Sequence, residues 1–254
     1  MRRDVLLRAG ALALALIGAV ALARAAEPLC PPDPPLARLD LPHLRAALEA
    51  GRPGVIVALG SSSTEGVMAS GPEAAYPAEL QEALEHARPG WRIQVVNRGI
   101  GGQDARLEVA RIGADVLALH PHMVIWQVGA NAALRDNDPL AFRRLVTEGV
   151  QRLQAHGADV VLMDNQRAPR LLAAPEDAAF DTALAAVAAE TGAGLFSRDR
   201  LMRGWAASGD PPADFIAADR LHHNDRGYAC VARALARAIE AGLGEVTPEL
   251  SAGR

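Results

Sequence analysis

The sequence predicts an α/β domain built around a mostly parallel β-sheet. Short apolar runs alternate with longer amphipathic stretches along most of the 254 residues, and this alternation is typical of βα units with helices on both faces of a sheet. The runs are continuously apolar, as expected for strands that are buried on both faces. In such sheets ligands bind at the carboxyl ends of the strands, so the polar residues that follow each strand are the candidates for a functional site.

Five strands and five main helices are predicted from these patterns. The predicted strands are Val55–Leu59, Ile93–Asn97, Val124–Val128, Val160–Met163 and Gly194–Phe196. The predicted helices are Tyr76–His86, Asp104–Leu119, Pro139–Ala155, Glu176–Glu190 and Asp225–Ala241. Asn224 is expected to cap the last helix, because an Asn side chain at that position accepts a backbone N–H of the first turn.

Composition and length indicate one globular domain. Half of the residues are apolar and 22% are charged, as in ordinary globular proteins. The net charge of -4 provides no electrostatic basis for binding nucleic acid or an anionic membrane surface. The length suits one domain, predicted over residues 51–245, after an N-terminal arm over residues 26–50 and before a tail over residues 246–254.

The first 25 residues have the features of an export signal. Arg2 and Arg3 form a positive start, an apolar run extends from Ala9 to Ala23, and Ala23–Ala25 supplies the small residues that a signal peptidase requires. The run is short for a membrane-spanning helix, which needs about 20 residues, although an uncleaved anchor is the alternative. The arginine pair is also consistent with twin-arginine export. We therefore expect a periplasmic or secreted protein with no stable membrane insertion after signal cleavage.

Two cysteines, Cys30 and Cys230, are present. In an oxidising compartment they could form a disulfide that ties the arm to the last helix. The alternative is a buried free Cys230 and a mobile Cys30. The choice depends on geometry that the sequence does not show.

A hydroxyl-rich turn, Gly60–Gly66, follows the first predicted strand. Three interpretations are open: a phosphate cradle, a turn from which one Ser projects as a nucleophile, and a polar turn that caps the next helix. The segment has neither the Lys of a P-loop nor the glycine spacing of a dinucleotide site, which argues against the first interpretation.

Two more polar segments follow the next strands. Asn97–Asp104 contains three glycines in four positions, which allows a ligand to approach the backbone closely, and the amide of Gly102 could face the same cleft as Ser62. Asn131 follows the third strand and offers an amide donor to an oxyanion. The structural alternatives are a tight turn at Gly102 and a turn-forming or capping role for Asn131.

The segment Asp219–Asp225 precedes the last helix and contains adjacent histidines. A nucleophilic Ser needs a base, and that base needs a group that fixes its tautomer. His222 is the candidate base and Asp219 the candidate orienting acid, with His223 as a competitor for the base role. A metal site at His222, His223 and Asp225 is less well supported, because neighbouring side chains diverge and no further Cys or His cluster completes a ligand shell.

In this order the four segments resemble the sequence blocks of the SGNH hydrolases, also called the GDSL-like esterases and lipases. The matching blocks, which span almost all of the chain after the export signal, are Gly60–Thr64, Asn97–Gly102, Gly129–Asn131 and Asp219–His222. The first block, together with Trp126–Gly129 and His222–Tyr228, is similar to an exported proteobacterial branch of the family.

Ser61 is the one departure that matters. It stands where the family usually has an acidic residue, and because that residue is not a triad member we expect activity to survive. The adjacent Ser61, Ser62 and Ser63 leave the register open, but the spacing from Gly60 favours Ser62.

The resemblance implies a flavodoxin-like three-layer α/β/α sandwich with a mostly parallel five-stranded sheet. It implies that Ser62 is the nucleophile, that His222 moves the proton, and that Asp219 orients His222. The amides of Ser62 and Gly102 and the side chain of Asn131 would hold the oxyanion. The resemblance implies no metal and no organic cofactor.

We therefore expect an exported serine esterase that hydrolyses carboxylic esters, acyl or O-acetyl, of a small molecule or a glycan. The reaction would pass through an acyl-enzyme intermediate. One alternative is an acyltransferase that uses the same site on envelope glycans. Another is a non-catalytic envelope binding module, which predicts a missing triad residue. A nucleotide or phosphate binder is disfavoured, because the Gly60–Gly66 turn contains no basic residue.

Overall fold

The structure is a computed structural model, and it describes residues 30–135 and 137–246. At its centre is a sheet of five parallel strands in the order β2-β1-β3-β4-β5. The strands are β1 (Gly54–Gly60), β2 (Ile93–Gly99), β3 (Met123–Gln127), β4 (Asp159–Met163) and β5 (Gly194–Phe196). The predicted parallel sheet is confirmed. The predicted export signal and residues 247–254 of the predicted tail lie outside the described residues.

Helices cover both faces of this sheet. They are α1 (Pro42–Glu49), α2 (Ser62–Glu65), α3 (Tyr76–Ala87), α4 (Ala105–Arg111), α5 (Ala130–Leu134), α6 (Pro139–Ala155), α7 (Pro169–Leu172), α8 (Asp177–Thr191), α9 (Arg198–Ala207) and α10 (Asp225–Leu243). α10 packs against α3 and α1, while α6 packs against α4 and α8. Every residue of β3 and β4 is buried, as expected for strands between two helical layers. The three-layer α/β/α sandwich is therefore confirmed. Within the two described stretches of chain, no helix is long and apolar enough to cross a bilayer.

The predicted helix Asp104–Leu119 is wrong in its second half. α4 ends at Arg111, and the chain continues as one widened helical turn from Ile112 to Val116 and a short tight turn to Leu119. Gly113, a weak helix former, lies in the widened turn. Ile112 and Val116 are both fully buried. Ile112 and Val116 therefore lie in the core, although the chain forms an irregular turn there and not the regular helix that was expected.

Helix α1 lies inside the segment predicted as an N-terminal arm, residues 26–50, and the sequence did not predict it. Pro42 occupies its first turn, where the missing N–H is tolerated, and Leu44 is fully buried. The carboxylate of Asp159, at the start of β4, accepts hydrogen bonds from the backbone N–H groups of His43 (3.1 Å) and Leu44 (2.9 Å). The cap of this helix thus comes from a residue that is distant in the sequence.

The arm that precedes α1 is tied to the last helix. Cys30 and Cys230 form a disulfide with a Cα–Cα distance of 5.4 Å, so the open question about these cysteines is answered in favour of the bridge. Asp33 adds an ion pair with Arg237 at 2.6 Å. The arm is thereby fixed along α10.

Glu108 is a carboxyl group buried in the core beside the sheet. Its exposed fraction is 0%, and its Oε2 accepts a hydrogen bond of 2.8 Å from the indole N–H of Trp126. Burial raises the pKa of Glu108 to about 8, although the bond from Trp126 and the charge of Arg111 act in the opposite direction. At neutral pH the group is therefore protonated and uncharged.

The substitution Glu108→Gln is expected to stabilise the protein in alkaline solution. In the unfolded chain the carboxyl releases its proton near its ordinary pKa of 4.5, but in the folded protein only near about 8. The stability of the wild type therefore falls as pH rises through this interval, whereas the amide of the variant would not titrate. Above the interval the gain in the free energy of unfolding is on the order of 5 kcal/mol. Denaturant titrations at several pH values measure it. The exposed Glu148→Gln is the control, and an equal pH profile for wild type and Glu108→Gln would contradict the prediction.

Candidate active site

Ser62 lies just beyond the carboxyl end of β1 and is the first residue of α2. The turn is tight because Gly60 has no side chain. A Cβ atom on Gly60 would lie 2.2 Å from Thr64 Oγ1 and 2.9 Å from the carbonyl oxygen of Gln127, and both distances are closer than atoms tolerate. The turn therefore requires glycine at this position and holds Ser62 at the edge of the sheet.

Ser62, His222 and Asp219 form a continuous hydrogen-bonded chain. The Oγ of Ser62 lies 2.7 Å from Nε2 of His222, and Nδ1 of His222 lies 2.5 Å from Oδ2 of Asp219. An ionised carboxylate can only accept, so the proton of the neutral imidazole is on Nδ1 and Nε2 is free to accept the Ser62 hydroxyl proton. The chain has the geometry of a nucleophile, a base and an orienting acid.

Asp219 is held in its ionised form. Its Oδ1 accepts hydrogen bonds of 3.0 Å from the backbone N–H groups of Leu221 and His222. Burial by itself raises the pKa of Asp219, but the bonds from the His222 ring and the two N–H groups outweigh it, and the pKa is lowered below its ordinary value. A negative charge thus stays beside the imidazole, where it stabilises an imidazolium.

The loop that carries His222 is anchored on both sides. The backbone N–H of Ala217 donates to the carbonyl oxygen of His222 at 2.8 Å, and Gln166, which follows β4, donates from its side chain to the carbonyl oxygen of Leu221 at 2.8 Å. Asn224 accepts the backbone N–H of Gly227 at 2.9 Å and caps α10. These contacts fix the backbone of the loop, and the bond from Nδ1 to Asp219 orients the His222 ring.

His223 points into the core and away from Ser62. It is 1% exposed, and its ring lies 3.0 Å from the carbonyl oxygen of Phe215, to which Nδ1–H donates. Burial, and next the charge of Arg198, lower the pKa of His223 to about 3. The structure therefore places His222 and not His223 against the Ser62 hydroxyl.

Asp225, the third residue of the less favoured metal hypothesis, accepts the backbone N–H of Ser70 at 2.8 Å. No group of three or more His, Cys, Asp or Glu side chains with metal-binding geometry occurs in the part of the chain that the structure describes.

The glycine-rich loop after β2 passes directly beside Ser62. A Cβ atom on Gly101 would lie 3.9 Å from Cβ of Ser62, and Gly102 has a φ of +76°, which favours glycine. The side-chain amide of Asn131 donates to the carbonyl oxygen of Gln103 at 2.8 Å, and its second N–H remains for another acceptor. The loop that contains Gly102 thus passes the nucleophile candidate at Gly101, and Asn131 of α5 is hydrogen-bonded to the same loop.

Ser61 and Gln127 form a polar contact that sequence reasoning missed. The backbone N–H and the hydroxyl of Ser61 donate to Oε1 of Gln127 at 3.1 and 3.2 Å, and the Thr64 hydroxyl donates to the same atom at 3.2 Å. Gln127 is completely buried at the end of the apolar strand β3. A buried polar residue in such a strand was the available signal. Its role is to fix the turn that presents Ser62.

None of the curated proteins matches this chain. Among solved structures, a two-domain esterase (CEX) active on acetylated mannans is 25% identical with a TM-score of 0.69, and the match covers 84% of this chain. The chain spans 56% of the length of that esterase.

Two further solved structures have similar folds. TesA is 22% identical with a TM-score of 0.62, covering 73% of this chain and 98% of TesA. Axe2, an acetylxylan esterase from Geobacillus stearothermophilus, is 22% identical with a TM-score of 0.60, covering 76% of this chain and 94% of Axe2. At these identities the likeness shows the fold alone. The model of the non-GDSL lipase-like family matches residues 30–245, which is most of the sequence, and the chain therefore belongs to that family.

Proposed function

We propose that this protein is a serine esterase that hydrolyses carboxylic esters through an acyl-enzyme intermediate. The observation that carries the proposal is the contact of 2.7 Å between Ser62 Oγ and His222 Nε2, backed by the bond from His222 to Asp219. Membership of a lipase-like family and the likeness to an esterase active on acetylated mannans support the same reaction class.

Acylation begins when Ser62 Oγ attacks the carbonyl carbon of the ester. The hydroxyl proton moves to Nε2 of His222, and Asp219 remains ionised and stabilises the imidazolium. The carbonyl oxygen becomes an oxyanion, for which the amides of Ser62 and Gly102 and the free N–H of Asn131 are the proposed donors. The carbon–oxygen bond to the alcohol then breaks, and the alcohol leaves with the proton from His222.

Deacylation repeats these steps with water. His222 takes a proton from a water molecule, whose oxygen attacks the acyl carbon, and the proton then returns to Ser62 Oγ as the carboxylic acid leaves. We propose acyl or O-acetyl esters of small molecules or glycans as substrates. The acetylated mannans and acetylxylan named for two of the structural relatives make O-acetyl glycans the first class to assay.

We further propose that the protein acts outside the cytoplasm. The Cys30–Cys230 disulfide supports this proposal, because disulfides persist in oxidising compartments and are rare in the cytosol. The export signal predicted over residues 1–25 agrees with it. The export signal and the place of the chain in a proteobacterial branch both stay predictions.

Fluorophosphonate labelling with peptide mass mapping tests the reaction class without a choice of substrate. The adduct is expected on Ser62, and it is expected to disappear in Ser62→Ala and in His222→Ala. Ser63→Ala is the matched control, since Ser63 is an adjacent hydroxyl that is 2% exposed. No adduct on folded wild-type protein would overturn the proposal and favour a binding module.

A further inference from the structure

Arg111, the last residue of α4, donates four hydrogen bonds, two of them to the carboxyl ends of strands. Its Nη2 donates to the carbonyl oxygens of Gly60 at 3.0 Å and Arg98 at 2.8 Å. Its Nε donates to the side-chain oxygen of Gln103 at 2.6 Å, and Nη1 pairs with Asp115 at 3.2 Å. Four of the five N–H donors of a guanidinium are thus engaged, on a side chain that is 11% exposed.

Three of the four acceptors of Arg111 lie in the serine turn, at the end of β2 and in the glycine-rich loop. Gly60 is the last residue of β1, two residues before Ser62, and Arg98 is the penultimate residue of β2, just before the glycine-rich loop. Gln103 follows Gly102 in that loop. Arg111 therefore links the turn that carries Ser62 to the loop that carries Gly102.

The same loop is held from its other side by the residues after β3. Asn131 donates to the carbonyl oxygen of Gln103 at 2.8 Å, and Arg135 donates to the carbonyl oxygen of Gly102 at 2.6 Å. Gln103 is thus bound twice, through its side chain by Arg111 and through its main chain by Asn131. The peptide group after Gly102 and the residue Gln103 are therefore both held by hydrogen bonds, which limits the movement of the Gly102 backbone.

We propose that Arg111 is a positioning residue that fixes the Gly102 N–H relative to Ser62 and so prepares the oxyanion site before substrate binds. The inference rests on the proposed function. Donors that are oriented in advance stabilise a developing oxyanion without reorganisation, and a small displacement of such donors lowers the rate of the chemical step more than it weakens substrate binding. Lys cannot replace Arg here, because an ammonium group on a flexible stem does not span several fixed acceptors in one plane.

The test compares Arg111→Lys with Arg106→Lys. Arg106 is an exposed arginine on the same helix, so its variant controls for the chemical change itself. In Arg111→Lys, kcat for an activated ester is expected to fall by about 10- to 100-fold with KM unchanged, while Arg106→Lys keeps the wild-type kcat. In Arg111→Ala, added ethylguanidinium is expected to restore part of the lost kcat.

Hydrogen exchange provides a readout that does not depend on turnover. The backbone amides of residues 99–104 are expected to exchange faster in Arg111→Lys than in the wild type, with no change in Arg106→Lys. A wild-type kcat in Arg111→Lys, or a loss of kcat that only follows the loss of folded protein, would overturn the proposal.

The experiments distinguish a failure of the esterase assignment from a failure of the Arg111 proposal. If the wild type neither turns over esters nor reacts with fluorophosphonate, the esterase assignment fails, and the catalytic part of the Arg111 proposal fails with it. If the wild type is active but slow exchange in residues 99–104 survives in Arg111→Lys, only the Arg111 proposal is overturned.

Discussion

Replacing Ser62 by Ala is expected to lower kcat for ester hydrolysis by about four to six orders of magnitude. The hydroxyl that would be removed is the one that contacts His222 Nε2 at 2.7 Å. His222→Ala should cause a loss of the same order, because a nucleophile without its base is as ineffective as a missing nucleophile. The double variant should be no slower than either single variant, since residues that act as a unit do not contribute additively.

Steady-state kinetics on a chromogenic ester, with circular dichroism as a check of folding, measures these losses. Ser63→Ala is the control, because it removes a neighbouring hydroxyl and leaves the hydrogen-bonded chain from Ser62 to Asp219 intact. Wild-type turnover in Ser62→Ala would assign the nucleophile to another residue. A double variant much slower than both singles would show that Ser62 and His222 act independently.

Removal of the Cys30–Cys230 disulfide is expected to lower the free energy of unfolding strongly. The two residues are separated by 200 positions, and in the chain-entropy model a cross-link that closes a loop of this length stabilises the folded state by about 5 kcal/mol. For a domain of this size, a loss of 1 kcal/mol lowers Tm by about 2–4 °C, so the double variant Cys30→Ala/Cys230→Ala should melt about 10–20 °C lower.

Calorimetry on three samples distinguishes the stabilisation due to the covalent cross-link from the stabilisation due to packing of the sulfur atoms. They are the oxidised wild type, the wild type with its disulfide reduced, and the double alanine variant. The reduced wild type keeps both sulfur atoms, so it should lose most of the stability that the double variant loses. Equal Tm values for the oxidised and reduced wild type would contradict the predicted role of the disulfide.

The sheet was predictable from the sequence because its signal is local. Short, mainly apolar runs identify all five strands, and helices such as Pro139–Ala155 follow from their amphipathic pattern and agree with the structure. Helix α1 was not predictable in the same way. It is short, and its N-terminal cap is the carboxylate of Asp159, more than a hundred residues away. Helix α9 (Arg198–Ala207) was also missed.

The site was predictable only as far as its short sequence blocks reach. They named Ser62, Asp219 and His222, and the structure brings these side chains together, although their chemical roles stay predictions. Arg111 was not found, because it lies in no block. Gln127 lies in the segment Trp126–Gly129 but received no role. Each acts through contacts with residues far away in the sequence. Their contacts can be recognised only from a three-dimensional structure, which gives the distances from these side chains to their partners.

The distance along the chain between Ser62 and His222, 160 residues, has a consequence for biosynthesis. A ribosome completes the serine turn long before it completes the histidine loop. Under the proposed mechanism, the nascent polypeptide therefore has a hydroxyl with no base to activate it until His222 has been synthesised and its loop has folded against the serine turn. Chains that end before His222 should be inert towards esters.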